Sequence, residues 1–108
     1  TWHPFRIPGF IARDAGITAG TKGVAGIQVA RFDGGTPPLA KHDADMHFTF
    51  VLEGSMVLSA EGQESRRLQA GDAFIIPPGM VAQYSECSPD LELLEAGLRG
   101  DFATTLLG

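Results

Sequence analysis

The sequence is poor in residues on which several large classes of chemistry depend. It has one cysteine, Cys87, so it can form neither a disulfide within the chain nor a paired-cysteine zinc site. That excludes a disulfide-stapled secreted scaffold, favours a reducing, cytoplasmic setting, and leaves Cys87 as a packing residue. Positive charge is also sparse: 8 Lys and Arg stand against 13 Asp and Glu, for a formal charge of -5, and Arg66-Arg67 is the only adjacent basic pair. Neither nucleic acid nor an anionic membrane surface is expected as a partner. No apolar run approaches the ~20 residues that cross a bilayer, and the first residues lack the charged start and apolar stretch of a secretory signal. Also missing are a phosphate-cradling glycine loop followed by Lys and Ser or Thr, a His-Glu-x-x-His helix motif and a Gly-x-Ser-x-Gly elbow. Each absence removes a common route to phosphoryl, metalloprotease or serine-nucleophile chemistry.

What the chain does have is punctuation. Its 14 glycines and 7 prolines recur at short intervals, at Gly34-Gly35, Gly54, Gly62, Gly71-Asp72 and Pro77-Pro78-Gly79, between segments rich in branched and aromatic residues. The pattern predicts strands over Val24–Phe32, Leu39–Asp43, His47–Leu52, Met56–Ala60, Arg66–Leu68, Ala73–Ile76, Val81–Ser85 and Leu91–Ala96. Arg13–Thr21 is too glycine-rich for a helix. Many short strands at near-regular spacing read as an all-β sandwich or barrel. With 108 residues and no linker, residues 1–108 are expected to form one domain with a barrel core over about 24–96. The flanking arms Thr1–Gly9 and Arg99–Gly108 are expected to pack against a partner subunit. Phe48 and Phe50 read as packing between sheets or across a homodimer interface, Met46 and Met56 as core filler, and Glu92 and Glu95 as the wet face of a strand.

The three histidines are the chemically distinctive residues. His3 reads as a terminal surface residue. His42 and His47 lie near the middle, separated by an odd number of positions, so Asp43-Ala44-Asp45 must bend if both are to face one pocket. Gly54 follows His47 after six intervening residues, and Gly71, Pro77 and Gly79 repeat a second fixed spacing. These two spacings resemble the paired motifs of the cupin superfamily. In that register His42 falls on one family histidine and His47 where the family usually has Glu, while Ala40 and Ala82 stand at two further histidine positions.

The resemblance implies an all-β, cupin-type double-stranded β-helix, a jelly-roll barrel of short antiparallel strands with its site inside. It further implies a divalent transition metal (Fe, Mn, Ni or Zn) held by His42 and His47, with no organic cofactor. Strand parity turns Tyr84 inward with position 82, and makes it a candidate proton donor or hydrogen-bond anchor. Met80, Gln83 and Tyr84 are candidate pocket residues, although Gln83 has the outward parity. Two functions follow: a metal-dependent oxygenase, isomerase or lyase acting on a small polar, oxygen-rich molecule, or a metal-free barrel that binds or senses a small molecule without turnover.

Overall fold

The computed structural model describes residues 2–14, 25–98 and 102–107. Eleven strands are present: β1 (His3–Pro4), β2 (Phe10–Asp14), β3 (Ala25–Phe32), β4 (Ala40–His42), β5 (Met46–Glu53), β6 (Ser55–Ala60), β7 (Arg66–Gln69), β8 (Ala73–Ile75), β9 (Ala82–Ser85), β10 (Glu92–Leu98) and β11 (Thr104–Leu106). They form a six-stranded sheet in the order β1-β2-β3-β10-β5-β8 and a five-stranded sheet in the order β11-β4-β9-β6-β7. Every pairing is antiparallel. The sheets face each other as a jelly-roll barrel. No helix occurs among the described residues, and so none that is long and apolar enough to cross a membrane.

All eight expected strands are present, with ends shifted by one or two residues. Val24 and residues 15–21 of the glycine-rich stretch lie outside the described residues. The turns behave as their chemistry dictates. Gly54 joins β5 to β6 with φ of +76°, and its carbonyl accepts from the Ala70 amide, just past β7, at 3.1 Å. Pro77-Pro78 ends the run after β8, since neither can donate to a neighbouring strand.

Alternation along the strands fills the space between the sheets. The inward set includes Val51, Met56, Leu68, Leu91 and Leu93, each at most 2% exposed. Met56 is the core filler expected, whereas Met46 is 54% exposed on the outside.

Three expectations are corrected here. The arms close on their own barrel: β1 pairs with β2, β2 with β3, and β11 with β4. Phe5, Ile7, Phe10 and Ala12 are buried in the core, so the core begins well before residue 24. Apolar residues of the N-terminal segment cap one end of the barrel and need no second chain to hide them. Phe48 and Phe50 do not pack between the sheets, because their parity places them on the outer face of β5. Finally, Glu95 is 3% exposed and faces the barrel interior. It shares parity with Leu93, and the adjacent Leu94 takes the outer face; only Glu92 fits the wet-face reading, pairing with Arg31 at 3.5 Å.

Candidate functional site

Four polar side chains meet inside the barrel at the end covered by the arms. β4 ends at His42, residues 43–45 turn the chain, and β5 begins at Met46, so His47 returns to the same interior. The turn is held by the Asp45 amide to Leu98 carbonyl bond at 3.0 Å and by the Ala103 amide donating to the Asp43 carboxylate at 2.6 Å. The two imidazoles stack with centroids 4.4 Å apart and planes 28° from parallel. Phe102 stands edge-on to both, at 5.8 Å from His42 and 5.5 Å from His47. Gly97 makes room for it: a Cβ there would lie 2.7 Å from the Phe102 ring.

The hydrogen bonds fix the state of His42. Its Nε2 lies 2.6 Å from the Ile76 carbonyl, which can only accept, so Nε2 carries the proton. Its Nδ1 accepts from the Ala44 amide at 3.1 Å. Both ring nitrogens are thus committed to backbone groups. Burial, with the neighbouring His47 and Arg6, holds the His42 pKa below the ordinary histidine value, consistent with a neutral ring.

His47 is fully buried and faces Glu95 and Arg6. Its Nε2 lies 2.7 Å from Glu95 Oε1 and 2.7 Å from Arg6 Nη2. A guanidinium donates and never accepts, so one imidazole nitrogen serves one of these contacts at a time. The other nitrogen, Nδ1, is buried without a partner among the described residues. Arg6 reaches Glu95 through Nε at 2.9 and 3.1 Å and through Nη2 at 2.5 Å, and its Nη1 donates to Thr104 Oγ1 at 3.2 Å. Burial alone would raise the Glu95 pKa, but the His47 bond and the Arg6 charge outweigh it and hold the carboxyl below its usual range. For Arg6, burial opposes the charge and Glu95 restores it, with the net pKa raised.

Tyr84 points inward, 3% exposed, and its hydroxyl faces Thr49 and Arg6 without closing a well-formed hydrogen bond to either. Burial pushes its pKa up to about 12, so near neutral pH it is a hydrogen-bond donor and not a base. Gln83 turns away as its parity requires, its Nε2 bonded to the Pro37 carbonyl at 3.0 Å, and it lines no cavity by the histidines. The space beside His42, bounded by Arg6, Ala40, Ala82 and Tyr84, is only about 10 Å³, room for no more than about one water. A wider cleft of about 520 Å³ opens on the far side of Ile76 and Met80, which line both spaces. Leu58, Ala60 and Phe74 contribute to its apolar wall together with Phe48, Ala73 and Ile75, and Gln63, Glu64 and Arg66 are among its lining. His3 is exposed, its Nδ1 3.0 Å from the Pro4 carbonyl. Cys87 packs half-buried against the core with its thiol pKa pushed up to about 11 by burial, away from nucleophilic use at neutral pH.

The donor set answers whether these residues suit a metal. His42 has no free lone pair, and the charge beside His47 and Glu95 is already that of Arg6. Among the described residues no group of three or more His, Cys, Asp or Glu is placed to hold an ion. In this arrangement the residues do not fit a resident metal. Arg6 and Glu95 are the members that sequence reasoning missed. Arg6 stands alone between Pro4 and Pro8, and its partner is 89 positions away; Glu95 was recoverable from its parity with Leu93.

Comparison with known proteins places the geometry in a wider set. Residues 31–90 match the family model described as a cupin domain. No curated protein matches the chain. Among solved structures it is similar to KdgF from Halomonas sp., with 22% identity, a TM-score of 0.73, and 92% of this chain and 87% of that one covered. It is similar to the DMSP lyase DddQ from Ruegeria pomeroyi at 20% identity and TM-score 0.75, covering 98% of this chain and 60% of that one. It also resembles the salicylate 1,2-dioxygenase from Pseudoaminobacter salicylatoxidans at 19% identity and TM-score 0.73, where 94% of this chain spans 30% of the larger protein.

Proposed function

This chain is a member of the cupin domain family, and we propose that within it the protein is a metal-independent barrel that binds a small molecule. The observation that carries the reading is the commitment of the interior donors: His42 to the backbone at both nitrogens, His47 and Glu95 to Arg6. The binding place is the 520 Å³ cleft, whose size suits a small ligand. Its apolar wall and nearby Gln63, Glu64 and Arg66 favour a ligand with an apolar body and an oxygen-bearing end. Met80 and Ile76 line both this cleft and the small space beside His42 and Tyr84, and His42 also lines a separate cavity of about 370 Å³ with Lys41, Asp43 and Gly79.

The test is a thermal-shift screen of small carboxylates and alcohols on the untagged protein, with and without chelator, beside Ala60→Phe, which fills the cleft. A stabilising ligand whose effect ignores the chelator and disappears in Ala60→Phe is the expected result. Near-stoichiometric metal in the purified protein, with stability lost on chelation, would overturn it. That outcome would support the second reading, a metal-dependent oxygenase, isomerase or lyase. The observation in its favour is that two imidazoles and a carboxylate converge at His42, His47 and Glu95, a donor set suited to a divalent ion once freed.

We further propose that the protein works as a homodimer, formed by the outer face of the six-stranded sheet. Register aligns Ile27, Ala96, Phe48 and Ile75 in one row across four strands, and Val29, Leu94, Phe50 and Ala73 in the next. Phe48 is 36% and Ile75 62% exposed. Two contiguous apolar rows without a charge are an association surface, and a second copy offers the same rows across a two-fold axis. Sedimentation at micromolar concentration should give a dimer that Phe48→Asp converts to monomer; a wild-type monomer would refute the assembly.

A further inference from the structure

The cleft and the apolar outer face have three side chains in common. Phe48, Ala73 and Ile75 line the 520 Å³ cleft, and the same three lie in the apolar rows of the six-stranded sheet, where Phe48 pairs with Ile75 and Phe50 with Ala73. The position of β8 is the reason. It is an edge strand, paired with β5 on one side only, so the outer face ends where the cleft begins. Inward Phe74 and outward Ala73 and Ile75 all reach the cleft. The cavity therefore runs around the edge of the sheet and opens onto its outer surface.

Its two banks differ. On the side of the five-stranded sheet stand Leu58 and Ala60 of β6, Arg66 of β7, and Gln63 and Glu64 from the connection between those strands. On the other side Ile75 is 62% and Phe48 36% exposed. A ligand whose oxygen-bearing end turns to Gln63, Glu64 and Arg66 lays its apolar body toward Phe48 and Ile75, and there part of that body stays in water. A second copy seated on the apolar rows covers it. The rows carry no charge across β3, β10, β5 and β8, so two chains of formal charge -5 meet there without like charges face to face.

We propose that the second copy completes the cleft, so that ligand binding and dimer formation strengthen each other through Phe48, Ala73 and Ile75. The inference rests on the proposed cleft and homodimer. A ligand lying on this lip adds apolar area for the partner to cover and tightens the dimer. By linkage, the dimer holds the ligand more tightly than the monomer does. With one ligand per chain, the dimer dissociation constant changes by the square of the change in affinity per site. The ligand class is an apolar body with one oxygen-bearing end, long enough to reach from the polar bank to the lip.

The probe is 1-anilinonaphthalene-8-sulfonate, an aromatic body with a sulfonate end, titrated by fluorescence into the untagged full chain. Sedimentation velocity over a dilution series gives the dimer dissociation constant with and without it. Wild type is compared with Ala60→Phe, which fills the cleft, and with Val29→Glu, which places a charge in the outer rows. Leu94→Lys replaces Val29→Glu if circular dichroism shows the latter unfolded; Val29 and Leu94 pair with each other and neither lines the cleft. Binding that Ala60→Phe retains, in either background, belongs to the outer face and is subtracted. Saturating probe should lower the wild-type dimer dissociation constant at least about tenfold, and the monomeric variant should bind the probe at least about threefold more weakly. Ala60→Phe should dimerise without responding to the probe. A dimer constant that is unchanged or raised, in a wild type that dimerises and holds the probe in its cleft, would overturn the completed cleft alone. Equal binding by wild type and Ala60→Phe would instead remove the cleft as the binding place, and a wild type monomeric with and without probe would remove the dimer; either takes the inference with it.

Discussion

Glu95→Ala should destabilise the protein by about 3–5 kcal/mol in urea unfolding, because it leaves the guanidinium of Arg6 buried against His47 with no counter-charge. The effect comes from the charge left behind and not from the worth of the pair. Arg6→Met/Glu95→Leu, which removes both charges and returns apolar volume, should therefore be far milder than either single change. A loss below about 1 kcal/mol in Glu95→Ala would mean that Arg6 escapes to solvent on its arm, against the clamp formed by Thr104 and Phe102.

The same cluster sets the acid response. Glu95 has its folded pKa below the unfolded value, so its contribution is complete above about 4.3 and is lost as pH falls through the folded pKa. His42 is also depressed, and its contribution declines earlier, as pH falls below about 6.5 toward the folded value. Stability measured against pH should show two acid limbs. The lower should vanish in Arg6→Met/Glu95→Gln and the upper in His42→Gln.

Gly54→Val is the second large effect, expected at about 3 kcal/mol or more. At φ of +76° a β-branched side chain is strained in any surroundings, and here the surroundings cannot yield. A Cβ would lie 2.8 Å from the Leu91 Cα and 2.7 Å from the Asp90 carboxylate, with Ser88 Oγ closer still. That loop is itself pinned, since Ser55 donates to Ser88 Oγ at 2.8 Å and Ser88 donates to the Ser55 carbonyl at 2.9 Å. Gly71 is the control: its φ is +98° but its Cβ would meet nothing within 4 Å, so Gly71→Ala should cost only the backbone term of about 1 kcal/mol. Equal losses at the two sites would show that crowding at Gly54 contributes nothing.

The barrel was legible because its signals are local. Gly54, Gly71 and Pro77-Pro78 mark turns by what their own backbones allow, and alternation between such marks defines a strand without knowledge of its partner. Strand parity set by the family register turned Tyr84 inward and Gln83 outward, and parity alone required the bend between His42 and His47. It failed where position depends on distant residues. Phe10–Asp14 is a short strand leading into a glycine-rich stretch, and it is a strand because β3 lies beside it. Leu93-Leu94 puts two leucines on opposite faces, so counting leucines gave no parity for Glu95, whereas extending the inward face from Leu91 and Leu93 gives it at once. Arg6 had no local signal. A lone cation between two prolines is ordinary surface until the barrel closes over it.

That late closure bears on how the chain reaches its native state. The guanidinium meets Glu95 across 89 positions and Thr104 across 98, so its counter-charge leaves the ribosome long after it does. Until β10 and β11 have formed, burying Arg6 is unfavourable, and the first segment is held in water by its own charge. Loop closure over such spans is slow. The ion pair therefore acts as a latch between the segment joining β1 to β2 and strand β10, and a nascent chain that stops short of residue 95 keeps β1 and β2 undocked and its apolar interior open to proteolysis.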